Sequence, residues 1–305
     1  MSDFQLYKKR DFSALMNDTM DFFKKFWKNY FRNYVVINGA LILLMCVLYF
    51  LVFKDMFKNM YTPGGAGTWL ADNTTPAIII GGLLFFLVSI ALSVFTTAFP
   101  MIYLKLLKTK GDEPLISSEV FNGIKSYAGR LILFGLISFL IIFPLSIIVL
   151  GICAALSIII IGIPMLILAI PTIMVWMMQA MYVYIEEDDS YFSALKKGWK
   201  ITFDKYWHVV GSTIITCIFV MIVSSIFTMV PAIMMMSSVI TMGGQPGAME
   251  ITPIMLVFYI LGMIFSFIAY NVLYIQQGLV YYSSQENTVN YQAFSEIENI
   301  GTDEV

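Results

Sequence analysis

Few residues in this chain can do chemistry, and four of them are adjacent. Glu186, Glu187, Asp188 and Asp189 ("EEDD") place four carboxylates in a row, and hard divalent cations favour such oxygens. The run stands immediately ahead of a helix-forming stretch, whose N-terminus carries partial positive charge, so capping explains the acids without a metal. Asp112 and Glu113 are a second acidic pair, and together with the run they define an enzyme reading, chemistry on lipid head groups. His208, the single histidine, has no partner at a useful spacing and reads as an anchor at a membrane boundary. Cys46, Cys153 and Cys217 each sit in an apolar run without CxxC spacing, which marks small buried side chains rather than a disulfide or a metal site. No catalytic, cofactor-binding or metal-ligating set emerges, and the chain reads as a non-enzyme that needs no cofactor.

The composition sets the elements that hold these groups. Of 305 residues, 59% are hydrophobic and 12% charged, against roughly 25% charged in soluble domains. An integral membrane protein follows. A crossing helix needs about 20 apolar residues, and such windows lie at 33–53, 77–104, 209–236 and 254–280. Residues 131–184 run without a charge, which is the length of two crossings joined by a tight turn, placed near Gly151 to Ala155 (spans 131–151 and 155–184). The expected fold is all-α, with six transmembrane helices between a segment 1–32 and an acidic tail 281–305. Backbone amides left unpaired in hydrocarbon cost several kcal/mol each, so every window must be helical. Pro100, Pro144, Pro164, Pro171 and Pro231 then mark kinks or ends.

Basic residues orient the chain. Sixteen Lys and Arg fall before span one, between spans two and three, and between spans four and five, whereas Lys54 and Lys58 alone fall on the opposite side. This positive-inside pattern predicts cytoplasmic termini. The outward connections, "YTPGGAGTWLADNTTP" and "SSVITMGGQPGAMEITP", are turn-like and too short to be domains. The first thirty residues lack the apolar core of a signal peptide, so the mature chain is expected to begin near Met1.

A short stretch recurs. Residues 12–27 and 192–207 agree at seven of sixteen positions, beginning with "FSAL" and ending in Trp. At helical period Phe12, Leu15, Met16, Thr19, Phe23, Phe26, Trp27 and Tyr30 share one face, with Asp18, Asp21, Lys24, Lys25 and Lys28 opposite. The second copy has Phe192, Leu195, Trp199, Phe203, Tyr206 and Trp207 as its stripe. Such helices are expected to lie in the membrane interface. A weaker instance (Val120, Phe121, Ile124, Tyr127) precedes span three, so amphipathic interfacial helices are predicted before spans 1, 3 and 5. Their lysines predict contact with anionic lipid head groups. Nucleic acid does not fit lysines interleaved with acids on a membrane surface.

The segment "IPTIMVWMMQAMYVYIEEDDSYFSALKKGWKITFDKYWHVVG" (170–211) resembles six-helix bacterial membrane proteins related to the membrane domain joined to some glycerophosphodiester phosphodiesterases. In that pattern a proline-bearing span leads into an acid, then an Ala-Leu helix with Lys and Trp, then another span. The tail "YYSSQENTVNYQAFSEIENIG" resembles that of stand-alone members. Gly198 stands where the family often has Ser. The resemblance implies fold, not hydrolase chemistry.

No Asp, Glu, Lys, Arg or His lies inside the six windows, which argues against proton-coupled transport and intramembrane acid-base catalysis. Asn38, Gln179, Asn271, Gln276 and Gln277 remain, read as interhelical hydrogen-bonding groups. The leading expectation is a polytopic protein of the bacterial inner membrane, a scaffold or accessory subunit of an envelope complex with a membrane-protein partner. The alternative is binding or transport of a lipid or small amphiphile in a groove opened by the kinked third and fourth spans.

Overall fold

The computed structural model describes residues 4–60, 76–241 and 253–289. Among them there are seven α-helices and no strand: α1 (Phe12–Met60), α2 (Pro76–Lys110), α3 (Ser117–Leu156), α4 (Gly162–Glu186), α5 (Tyr191–Asp204), α6 (Tyr206–Thr241) and α7 (Pro253–Val289). All but α5 are long and apolar enough to cross a membrane. This is the architecture of a multi-pass membrane protein, and the physical cause is the one that makes its spans legible: in hydrocarbon only a helix satisfies its own backbone. The first residues of the second expected outward connection, 237–241, continue α6; the rest of both outward connections, up to the prolines that open α2 and α7, and the acidic segment 290–300 fall outside the described residues.

The turn between the third and fourth spans lies later than its predicted place at Gly151 to Ala155. Helix α3 continues through Gly151 to Leu156, and a 3₁₀ turn, Ser157–Ile159, follows it. Ile160 closes the turn in the left-handed region, at φ 68°. Pro164 is the reason for the shift. It occupies the first turn of α4, where a missing N–H breaks no hydrogen bond and the fixed φ suits a helix start. Pro100, Pro144, Pro171 and Pro231 are instead inside helices α2, α3, α4 and α6.

The chain divides into two compact units. The first comprises Met1–Asn33, Thr97–Ile218 and Val272–Val305. Its core is aromatic: Tyr30 lies 4.9 Å from Tyr103 and 5.0 Å from Phe99, ring centre to ring centre, and Phe22 5.6 Å from Tyr30. The amphipathic start of α1 therefore turns its stripe into protein. Phe22, outside the predicted stripe, is fully buried, whereas Trp27, inside it, is exposed. That segment runs unbroken into the first span, as does the one at the start of α3. The second copy differs, because α5 is a helix of its own and ends where Lys205 leaves helical geometry.

Close approach explains the separate axis of α5. A Cβ on Gly198 would stand 2.5 Å from the amide nitrogen of Ala180, so only glycine lets α5 lie this near to α4. The buried amides also cross-link this unit. Gln179 Nε2 donates to the carbonyl oxygen and to Oε1 of Gln277, both at 3.0 Å. Gln277 Nε2 in turn donates to Thr213 Oγ1 at 2.9 Å.

The second unit comprises Tyr34–Thr96 and Phe219–Asn271. None of its described side chains is charged. Tyr34 donates to the Phe267 carbonyl at 3.0 Å, Phe227 and Phe265 stack at 4.2 Å, and Gly262 admits Thr228 and Phe227. Its other polar groups mostly bond to the preceding turn of their own helix, as Asn38 does to Tyr34 and Asn271 to Phe267.

Candidate functional site

Within the first unit a groove of about 500 Å³ opens between α3, α4 and α5, a volume in the range of small-ligand sites. Leu145, Val149 and Cys153 line it from α3, the stretch after Pro144. Met165, Leu168, Ala169 and Ile173 form the α4 wall, and Trp176, Trp199 and Tyr206 gather at one end. From Met165 to Trp176 the α4 wall rises about 16 Å at 1.5 Å per residue, close to half of a hydrocarbon core of roughly 30 Å.

The groove's end is built from stacked rings. Trp176 meets Trp199 edge-on at 5.3 Å, Trp199 stacks on Phe203 at 4.1 Å, and Phe203 stacks on Tyr206 at 5.4 Å. Polar atoms here are already engaged. Thr172 gives its hydroxyl proton to Leu168 O at 2.6 Å, so at the 2.9 Å Thr172–Tyr206 contact it is Tyr206 that donates. The Trp176 indole N–H donates to Leu195 O at 2.9 Å. No charged side chain lines the groove. Such a surface can hold hydrocarbon, and it presents no acid, base or charge with which to break a bond.

The acidic run lies apart from the groove lining and does a different job. Tyr282 donates to Glu186 at 3.0 Å, and Tyr281 and Gln285 donate to Glu187 at 3.1 and 2.9 Å. Asp188, held at φ 52°, pairs with Arg130 at 3.1 Å. Lys197 bridges Glu187 at 2.6 Å and Asp189 at 2.9 Å. Asp189 accepts from Ser193 Oγ and Ser190 N as well, the local contacts of a helix start. The hydrogen bond from Lys197 is the main reason the Asp189 carboxyl is held below its ordinary range. The same contacts, to Glu187 first and then Asp189, push the Lys197 ammonium up. All four carboxylates thus serve to fix the α4–α5 connection, and among the described residues no group of three or more potential ligands is placed for a metal.

The other sequence candidates are scattered. Asp112 pairs with Lys25 at 2.7 Å, Glu113 is exposed, and His208 is exposed near the start of α6. Cys46 and Cys153 are buried and Cys217 half-buried, all as free thiols. Gln276 reaches the Met16 sulfur at 3.5 Å.

Sequence reasoning missed Arg10. Its side chain is fully buried, its Nε donates to Asp18 at 2.9 Å, and its other nitrogens donate to the carbonyls of Gln5, Leu6 and Lys8. The Arg10 amide donates to Ser283 Oγ of α7 at 2.9 Å. The N-terminal segment is thereby wrapped around one guanidinium, whose burial lowers its pKa against the opposing pull of Asp18. The signal was present in the Arg10 to Asp18 spacing, but a cluster of basic residues before a span reads first as an orientation signal.

Compared with family models, curated proteins and solved structures, the chain matches none.

Proposed function

We propose that this chain is a non-enzymatic protein of the bacterial cytoplasmic membrane that binds the hydrocarbon chain of a membrane amphiphile in the groove between α3, α4 and α5. The observation that carries this reading is the groove itself: uncharged, about 500 Å³ in volume, walled mostly by apolar side chains, with Thr172, Tyr206 and Trp176 hydrogen-bonded within the protein. A depth near half the hydrocarbon thickness suits a chain from one leaflet. In the proposed topology both termini and the sixteen clustered basic residues are cytoplasmic, and α5 lies in the interface. Exposure of Phe192 (69%) and Trp199 (49%) supports that placement, since aromatic rings favour the headgroup level.

Brominated acyl chains, which quench nearby tryptophan, test the proposal. In a variant with Trp27, Trp69 and Trp207 replaced by Phe, the emission of Trp176 and Trp199 should be quenched saturably. Ala169→Phe, which fills the groove, should remove the saturable component. Quenching that rises linearly with lipid and ignores Ala169→Phe would discard the reading.

A second reading, an accessory subunit of a membrane complex, rests on the broad free faces of α2 and α3, whose apolar windows are each only 11% buried. Purification from native membranes in mild detergent would dismiss it by returning this chain alone.

A further inference from the structure

Resting on the groove reading, we infer that the amphiphile carries an anionic head group, held by Lys196 and Lys200 of α5. Helix α5 separates its surface into three bands. Tyr191, Ala194, Leu195, Gly198 and Thr202 are buried against protein. Phe192, Trp199 and Phe203 form an exposed aromatic band, and Trp199 is also part of the groove's end. At 3.6 residues per turn, Lys196 and Lys200 project roughly 60–100° round the helix from Trp199, along the far edge of the aromatic band. Both are exposed. A lysine at such an edge lays its stem on apolar surface and lifts its ammonium to the headgroup level.

Lys8, Arg10, Lys24, Lys25, Lys110, Arg130 and Lys197 are each within ion-pair distance of a carboxylate. Lys105 donates to the Ile185 carbonyl and sits over the Tyr127 ring. Lys196 and Lys200 form no ion pair with a described carboxylate, and Lys200 does not pair even with Asp204, one turn further along the same helix. Lys28, Arg32, Lys125 and Lys205 likewise form no ion pair with a described carboxylate, and what singles out Lys196 and Lys200 among these cations is their place along the aromatic band that includes Trp199. Two exposed cations beside the groove's aromatic end, with no ion pair among the described residues and no charge in the groove, define the complement: a hydrocarbon tail inside and a phosphate or carboxylate head at the α5 edge. Zwitterionic heads bring their own cation and lose most of that attraction.

The Trp176/Trp199 variant of the full chain separates the claims when titrated with brominated phosphatidylglycerol and brominated phosphatidylcholine in detergent at low salt. The anionic probe should half-saturate at about thirtyfold lower concentration, as two surface lysines predict. Lys196→Gln with Lys200→Gln should raise it to the phosphatidylcholine value, while Lys125→Gln, an exposed lysine elsewhere in the unit, should leave the preference intact. Equal half-saturation by both probes, or a preference that survives the double substitution, would overturn the headgroup inference and leave the groove reading standing. A preference lost equally in Lys125→Gln would overturn it too, as diffuse surface attraction. Absence of saturable quenching by either probe would remove the groove reading and this inference with it.

Discussion

The two units of this chain are held together by different means. In the first, ion pairs, tyrosine hydroxyls and amides tie separate helices to one another, as at Arg10, Gln277 and the Glu186–Asp189 run. In the second, the described hydroxyls and amides mostly return to their own helix, and close packing of Gly262, Thr228, Phe227 and Phe265 supplies most of the cohesion. Lipid explains the contrast, since a surrounding hydrocarbon gives no hydrophobic drive between helices and rewards small residues and tight fit. A chain can therefore concentrate its specific polar contacts in one unit and hold the other mainly by shape, with Tyr34 to Phe267 as a polar tie between its helices.

Substitutions can break that comparison at graded strengths. The largest effect is expected from Asp18→Ala, which leaves the buried Arg10 guanidinium without its carboxylate; the loss should be about 3 kcal/mol, read as a fall in the thermal unfolding midpoint in detergent. Gly198→Ala forces a methyl to within 2.5 Å of the Ala180 backbone and should cost about 2 kcal/mol, whereas Gly262→Ala in the second unit meets Thr228 at 3.2 Å and should cost well under half of that. A parallel unfolding series would test the order of the two. Next comes Gln277→Leu, which strips Gln179 and Thr213 of a partner and should cost about 1 kcal/mol, against about 0.6 kcal/mol for Tyr34→Phe. If Tyr34→Phe proved the more damaging, the second unit would not be held by packing.

The smallest effect concerns pH. Asp189 is depressed, so its contribution is present above the ordinary aspartate value of about 3.9 and fades as pH falls through the lowered value. Lys197 is raised, so its share is present below the ordinary lysine value of about 10.4 and fades as pH climbs through the raised one. Between about pH 5 and 9 this pair should leave the unfolding midpoint flat, and Lys197→Met should lower it slightly and equally across that window. A midpoint difference that varied with pH in this range would contradict the assignment.

The spans were legible because a charge-free run longer than the bilayer has few other meanings. The α3–α4 turn was misplaced because Gly151 looked like the natural break, while Pro164, which suits the opening turn of the next helix, was the better signal. For the first amphipathic stripe, periodicity found a face but not its cover, and Phe22 and Trp27 exchanged roles once Phe99 and Tyr103 lay beside it. The acidic run was read locally, and its partners Arg130, Tyr281 and Tyr282 come from distant parts of the chain. The groove was only half visible, since prolines announce a bend but its walls come from several elements that no single stretch of sequence brings together.

The apex between α3 and α4 bears on where this chain can reside. Ile158 and Ile160 there are 86% and 74% exposed, and the apolar part of α3, residues 131–156, is about 39 Å long against a core of roughly 30 Å. Water at that tip would be costly, so the hairpin must lean over or draw the surrounding leaflet up around it. Bilayer thickness thereby bears on how far this hairpin must tilt, and thin short-chain membranes should accommodate it least well.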